Sequence, residues 1–96
     1  MSFTRVRVKY VAPYIRSLVG VDEEVIEIRE GATVKDLILK IAETHGNRIL
    51  SQLLEDDGRS LRQGVVIVVN DVVVQDTEAK VPSNSTVAFL LIIDGG

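Results

Sequence analysis

"GATVKDLILKIAETHG", residues 31–46, is the stretch in which the hydrophobic period changes. Val34, Leu37, Ile38, Ile41 and Ala42 recur at the i, i+3, i+4, i+7, i+8 spacing that places them on one stripe of an α-helix. Thr33 stands where an N-cap belongs, Asp36 three residues on makes a weak version of the capping box, and Gly46 occupies the C′ position. The stretches on either side alternate or run apolar instead, so one firm helix is set among strands.

Upstream, Phe3 to Tyr10 separates into Phe3/Arg5/Arg7/Lys9 and Thr4/Val6/Val8/Tyr10, the period-2 pattern of a half-buried strand with the second set facing the core. After Pro13 and Gly20 break the chain, "EVIEIRE" (24–30) alternates again, with Ile26 and Ile28 on one face and Val25 on the other. The two strands are expected to form a hairpin over a long, partly apolar connection. Downstream, "RILSQLL" (48–54) is compatible with a short second helix, and "EDDGRSLRQG" (55–64) reads as a loop. "VVIVVN" (65–70) is apolar on both faces, as an interior strand is, and Asn70-Asp71 forms a tight hairpin turn into "VVVQ". A turn-rich crossing segment, "DTEAKVPSNS", then leads to a last strand, "TVAFLLII" (86–93).

The order is β-β-α-β-β-β. One face of the sheet must be covered and one strong helix is available, so the economical arrangement is α+β: a mixed sheet of four to five strands packed on one main helix, the β-grasp (ubiquitin-like) architecture. A Rossmann arrangement fails for want of further strong helices and of G-x-G-x-x-G at a strand end. One domain over residues 1–93 is expected, followed by a flexible tail at 94–96.

Composition narrows the function. The 96 residues are 46% hydrophobic and suit one aliphatic core, with Phe3, Tyr10, Tyr14 and Phe89 the only aromatics. A net charge of -3 and no aromatic platform argue against nucleic acid as a partner. The absence of cysteine removes disulfides, thiolate nucleophiles and cysteine-ligated metal. His45, the single histidine, is accounted for by its place at a helix C-terminus, and one histidine is too few ligands for zinc. "EDDGR" lacks the spaced oxygens of a calcium loop, so no metal site is expected. No stretch approaches the roughly 20 apolar residues of a membrane span, and the first residues do not make a signal peptide; a cytoplasmic protein with no membrane partner is the simplest expectation.

The last residues carry the function. "STVAFLLIIDGG" (85–96) resembles the last strand and diglycine of ubiquitin and, more closely, the MoaD/ThiS sulfur-carrier family. "VRVKYVAPYIRSLVG" (6–20) is similar to that family's first strand and following loop, "EGATVKDLI" (30–38) to the start of its helix, and "VIVVND" (66–71) to its hairpin. The long segment between helix and third strand resembles MoaD, the small subunit of molybdopterin synthase, slightly more than ThiS. The resemblance implies that the Gly96 carboxylate is adenylated by a MoeB/ThiF-type enzyme using Mg-ATP and then converted to a thiocarboxylate. It implies no cofactor on this chain, no catalysis by it, and the large subunit of molybdopterin synthase as a further partner.

The chemistry explains the residue type. A carboxylate with a pKa near about 3.5 is ionised at neutral pH, a poor acyl electrophile that has to be activated first. Gly95 and Gly96, without Cβ, suit a narrow channel against nucleotide and enzyme backbone. If Val87 and Phe89 point to the helix, Ala88, Leu90 and Ile92 point outward and, with Asp94, form the candidate docking patch; the other reading buries this strand on both faces. The family's tail often reads Pro-Pro-x-x-Gly-Gly, and Leu91 and Ile92 replace the prolines here, which bears on which partner is used. A ubiquitin-like modifier joined to lysine-bearing protein targets, a carrier for thiamin or tRNA thiolation, and a non-covalent β-grasp module remain as alternatives.

Overall fold

The computed structural model describes residues 2–92. Their order is β1 (Phe3–Tyr10), α1 (Pro13–Val19), β2 (Glu23–Arg29), α2 (Val34–His45), α3 (Arg48–Leu53), β3 (Val65–Val69), β4 (Val72–Val74) and β5 (Thr86–Leu91). The strands make one sheet in the spatial order β2-β1-β5-β3-β4. β1 and β5 run parallel at its centre, and the other neighbours are antiparallel. This is the expected α+β β-grasp fold, with α3 where "RILSQLL" allowed a short helix and α1 added. The expected division between residues 1–93 and a tail at 94–96 lies outside the described residues.

Local sequence explains each element that matters for the site. Thr4, Val6, Val8 and Tyr10 all turn inward, as their alternation requires, and pack with Ile26 and Ile28 of β2. Val34, Leu37, Ile38 and Ile41 of α2 are shielded completely against them, with Ala42 nearly so. The capping box is complete: Thr33 Oγ1 accepts from the Asp36 N–H at 3.2 Å, and the Asp36 carboxylate accepts from the Thr33 N–H at 2.9 Å. The next orphan donors of the helix, the N–H groups of Val34 and Lys35, reach the carbonyls of Ala79 and Thr77, each at 2.9 Å. The crossing segment between β4 and β5 therefore lies across the start of α2, and a burying contact at Val81 keeps it there.

Two features differ from the sequence reading or complete it. The long, partly apolar connection between β1 and β2 contains α1. Pro13 is not a break but the first residue of that helix, where its missing N–H would have had no intrahelical partner. Gly20 ends it at φ 82°, with its N–H donating to the Arg16 carbonyl at 2.8 Å. Asn70 and Asp71 have φ of 48° and 70°, the paired positive values of a two-residue hairpin. The Asn70 side-chain oxygen also accepts from the Thr86 N–H at 3.0 Å, fixing the start of β5 to this turn.

Candidate functional site: the outer sheet face and the end of the last strand

β5 has two unlike faces. Val87 and Phe89 point into the core and are completely shielded. The Phe89 ring stacks on Tyr10 with centroids 6.2 Å apart, and its carbonyl accepts from the Val11 N–H at 3.0 Å. Ala88 and Leu90 take the opposite face and are half-buried. Their antiparallel neighbours there are Val68 and Val66, and Val68 in turn pairs with Val73, which is 57% exposed. Ile92, 65% exposed, follows at the end of the strand. The helices pack on one another and against the inner side. Burial of β5 on both faces is thus set aside, and its outer half belongs to an apolar strip that runs from β4 toward Ile92.

Beside this strip the face is charged. Arg5, Arg7 and Lys9 are, with Phe3 at its start, the exposed outward residues of β1. Glu27 and Glu23 of β2 stand opposite Arg5 and Lys9, whereas Arg7 faces Val25 on one side and Thr86 on the other. Charges directly across a sheet offset one another, so the column is partly neutralised at its two ends and least so at Arg7.

The sequence expectation placed Ala88, Leu90 and Ile92 together, and they share this face. Asp94, Gly95 and Gly96 lie outside the described residues. Val66, Val68 and Val73 were not singled out, although the apolar character of "VVIVVN" on both faces was their signal. Gly64 was also missed. The Ile92 N–H donates to its carbonyl at 2.6 Å, and nothing local in the sequence joins those two residues.

A second polar cluster sits away from the strip, at the end of α2. Glu24 Oε2 accepts from the Tyr10 hydroxyl at 2.6 Å and from His45 Nε2–H at 2.6 Å. The carboxylate only accepts, so Nε2 is the donor in this contact. Burial, and then the hydrogen bond and charge of Glu24, push the Tyr10 phenol far above its ordinary range. His45 thus ties the last turn of α2 to β2 as well as standing at a helix end. With both donors directed at one oxygen, the cluster fastens β1, β2 and α2 together.

The "EDDGR" loop is a hydrogen-bonded turn. Asp57 accepts from the N–H groups of Arg59 and Ser60 at 2.8 and 2.9 Å and from the Ser60 hydroxyl at 2.8 Å. These bonds hold its carboxyl at about 2, below the ordinary 3.8. Among the described residues no group of three or more His, Cys, Asp or Glu is placed to hold a metal ion, and no helix is long and apolar enough to cross a membrane.

With this geometry in hand, comparison with known proteins is decisive. The model of the ThiS family matches residues 8–96. This chain belongs to the ThiS family. Among solved structures, a putative molybdopterin converting factor, subunit 1, from Pyrococcus furiosus is 32% identical, with a TM-score of 0.72 over 94% of this chain and 99% of that one. A chain in the BexX/CysO complex of Amycolatopsis orientalis is 26% identical, with a TM-score of 0.75 over 95% of this chain and 99% of that one. Small archaeal modifier protein 1 from Haloferax volcanii, 17% identical, shares the fold with a TM-score of 0.80 over 94% and 99% of the two chains. No curated protein matches.

The chain is therefore a ubiquitin-like β-grasp protein of the sulfur-carrier and modifier superfamily, whose members are small non-catalytic carriers or modifiers and not enzymes. Members of the ThiS family work with ThiF/MoeB-type adenylating enzymes.

Proposed function

We propose that this ThiS-family chain carries an activated acyl group at Gly96. A carboxylate oxygen of Gly96 attacks the α-phosphorus of Mg-ATP bound by a ThiF/MoeB-type partner, and pyrophosphate leaves with the electron pair of the broken P–O bond. Hydrosulfide then attacks the acyl carbon, AMP departs, and the thiocarboxylate results. If a lysine amine attacks instead, the same adenylate yields an amide bond to a protein target. All the catalytic groups belong to the partner. This chain supplies the terminus and the surface that brings it there.

The observation that carries the reading is the family match, which extends over residues 8–96 and so includes the Gly95-Gly96 pair. The apolar strip supports it, because it runs toward Ile92, the last described residue before the tail. Ala88, Leu90 and Ile92 are proposed to dock on the adenylating enzyme, with Asp94 at the edge of the contact and Gly95 threading its channel. The family match favours carrier and modifier chemistry without selecting one acceptor. The 32% identity to the Pyrococcus furiosus protein keeps molybdopterin synthesis among the acceptors, with the large subunit of the synthase as a second partner, while the comparisons together favour a modifier joined to lysines or a carrier for thiamin or tRNA thiolation.

Intact mass spectrometry tests this. The protein is incubated with Mg-ATP, a purified ThiF/MoeB-type enzyme and sulfide. Exchange of oxygen for sulfur at the terminus adds about 16 Da, and deletion of Gly96 abolishes that gain while leaving the melting temperature unchanged. Lysine-linked adducts in place of the gain would assign the modifier branch. Neither product, with a partner active on another carrier, would overturn the proposal.

A further inference from the structure

We propose that Gly64 is a positioning residue for the reactive tail, an inference that rests on the carrier reading above. Its backbone has φ +90°, and a Cβ placed on it would stand 2.9 Å from the Ile92 carbonyl oxygen. Gly20, Gly31, Gly46 and Gly58 also have positive φ, but a Cβ on any of them meets nothing within 4 Å. Gly64 alone among these five combines the left-handed backbone with a close backbone neighbour, and that neighbour is the residue from which the tail departs. Ile92 returns the contact through its N–H, 2.6 Å from the Gly64 carbonyl. The two main chains lie against each other in a way that any side chain at 64 would prevent.

The turn bearing Gly64 is itself fastened. The Val65 N–H donates to the Arg62 carbonyl at 3.0 Å and the Arg62 N–H to the Leu53 carbonyl at 2.9 Å. The Arg62 side chain donates to the Ser51 carbonyl and lies 3.5 and 3.7 Å from the carboxylates of Glu55 and Asp56. The end of β5 is thereby referred, through Gly64 and Arg62, to the end of α3.

On the carrier reading the reactive carboxylate is that of Gly96, four residues beyond Ile92 and so at most roughly 14 Å from it. With so short a tether, the placement of its root governs where the carboxylate arrives. Opening the Gly64–Ile92 contact frees the chain back toward Leu91 and leaves the direction of departure undefined. Ala88 and Leu90, the part of the docking strip held by pairing with β1 and β3, keep their places, so the loss falls mainly on the chemical step, where about 1 Å of misplacement costs roughly a hundredfold.

The test measures pyrophosphate release by a purified ThiF/MoeB-type enzyme with Mg-ATP, for the wild-type chain, Gly64→Ala and Gly64→Asn. Asparagine tolerates the positive φ but still carries a Cβ, so it separates backbone strain from close approach. The expected result is a kcat lowered at least about tenfold in both variants, with KM changed several-fold less than kcat and folding verified by circular dichroism. A folded Gly64→Ala with unchanged kcat, a Gly64→Asn with wild-type kcat, or unfolding of both variants overturns the inference and leaves the carrier reading intact. A wild-type chain that releases no pyrophosphate overturns both.

Discussion

The two faces of β5 are built from the same kinds of residue and meet opposite fates. Val87 and Phe89 are sealed in the core, while Ala88 and Leu90, their immediate neighbours in sequence, stay half open beside an Ile92 that is 65% exposed. Hydropathy does not distinguish the faces. The position of the one long helix does: it covers the inner side of the sheet, and the outer side keeps its aliphatic residues available to another molecule. The inner face specifies the fold, and the outer face is proposed to specify the partner.

Substitution on each face breaks or sharpens this contrast. Phe89→Ala removes a fully shielded ring stacked on Tyr10 and is expected to cost about 3–5 kcal/mol of stability, read from urea unfolding. One residue away, Leu90→Asp should change stability by less than about 1 kcal/mol, because its side chain is only half-buried. It should nevertheless lower kcat/KM for adenylation at least about tenfold, through KM, by placing a charge in the docking strip. Equal losses of stability at 89 and 90 would show that the two faces are one core.

The smallest effect is expected far from β5. The Asp57 carboxyl is held at about 2, below its ordinary 3.8, so its contribution to stability is present above pH 3.8 and is lost as the pH falls toward 2. Asp57→Asn should accordingly lower the melting temperature slightly at neutral pH, and the difference from wild type should shrink over that acid interval. A difference that persists at pH 2 would assign the loop's order to something other than the carboxylate.

Much of this was legible in the residues because it is written locally. The inward set of β1, the stripe of α2 with its Thr33 cap, and the Asn70-Asp71 turn each declare themselves within a few positions. The outward parity of Ala88, Leu90 and Ile92 follows from the pleat alone. α1 was legible in principle, with Pro13 at its first position and Gly20 just past its end. Seven residues give the helical period little room to show, however, and both ends were read as breaks. What the sequence could not reveal is non-local. Glu24 meets Tyr10 and His45 across three elements, Val66 and Val68 join Leu90 and Ala88 only through sheet register, and Gly64 finds Ile92 only once β3 and β5 have paired.

The parallel pairing of β1 with β5 has a consequence for the nascent chain. Arg7 to Tyr10 align with Thr86 to Phe89, almost the whole sequence apart, and β5 also supplies the partner edge for β3. A ribosome that has completed synthesis only as far as Asn84 has made every element except the strand that joins the two halves of the sheet. Until that strand is made, β1 and β3 each present an unpaired apolar edge, the form in which chains aggregate or recruit chaperones. Closure of the sheet is therefore a late event, and a chain truncated before Thr86 would leave both edges open and would lack the proposed reactive end.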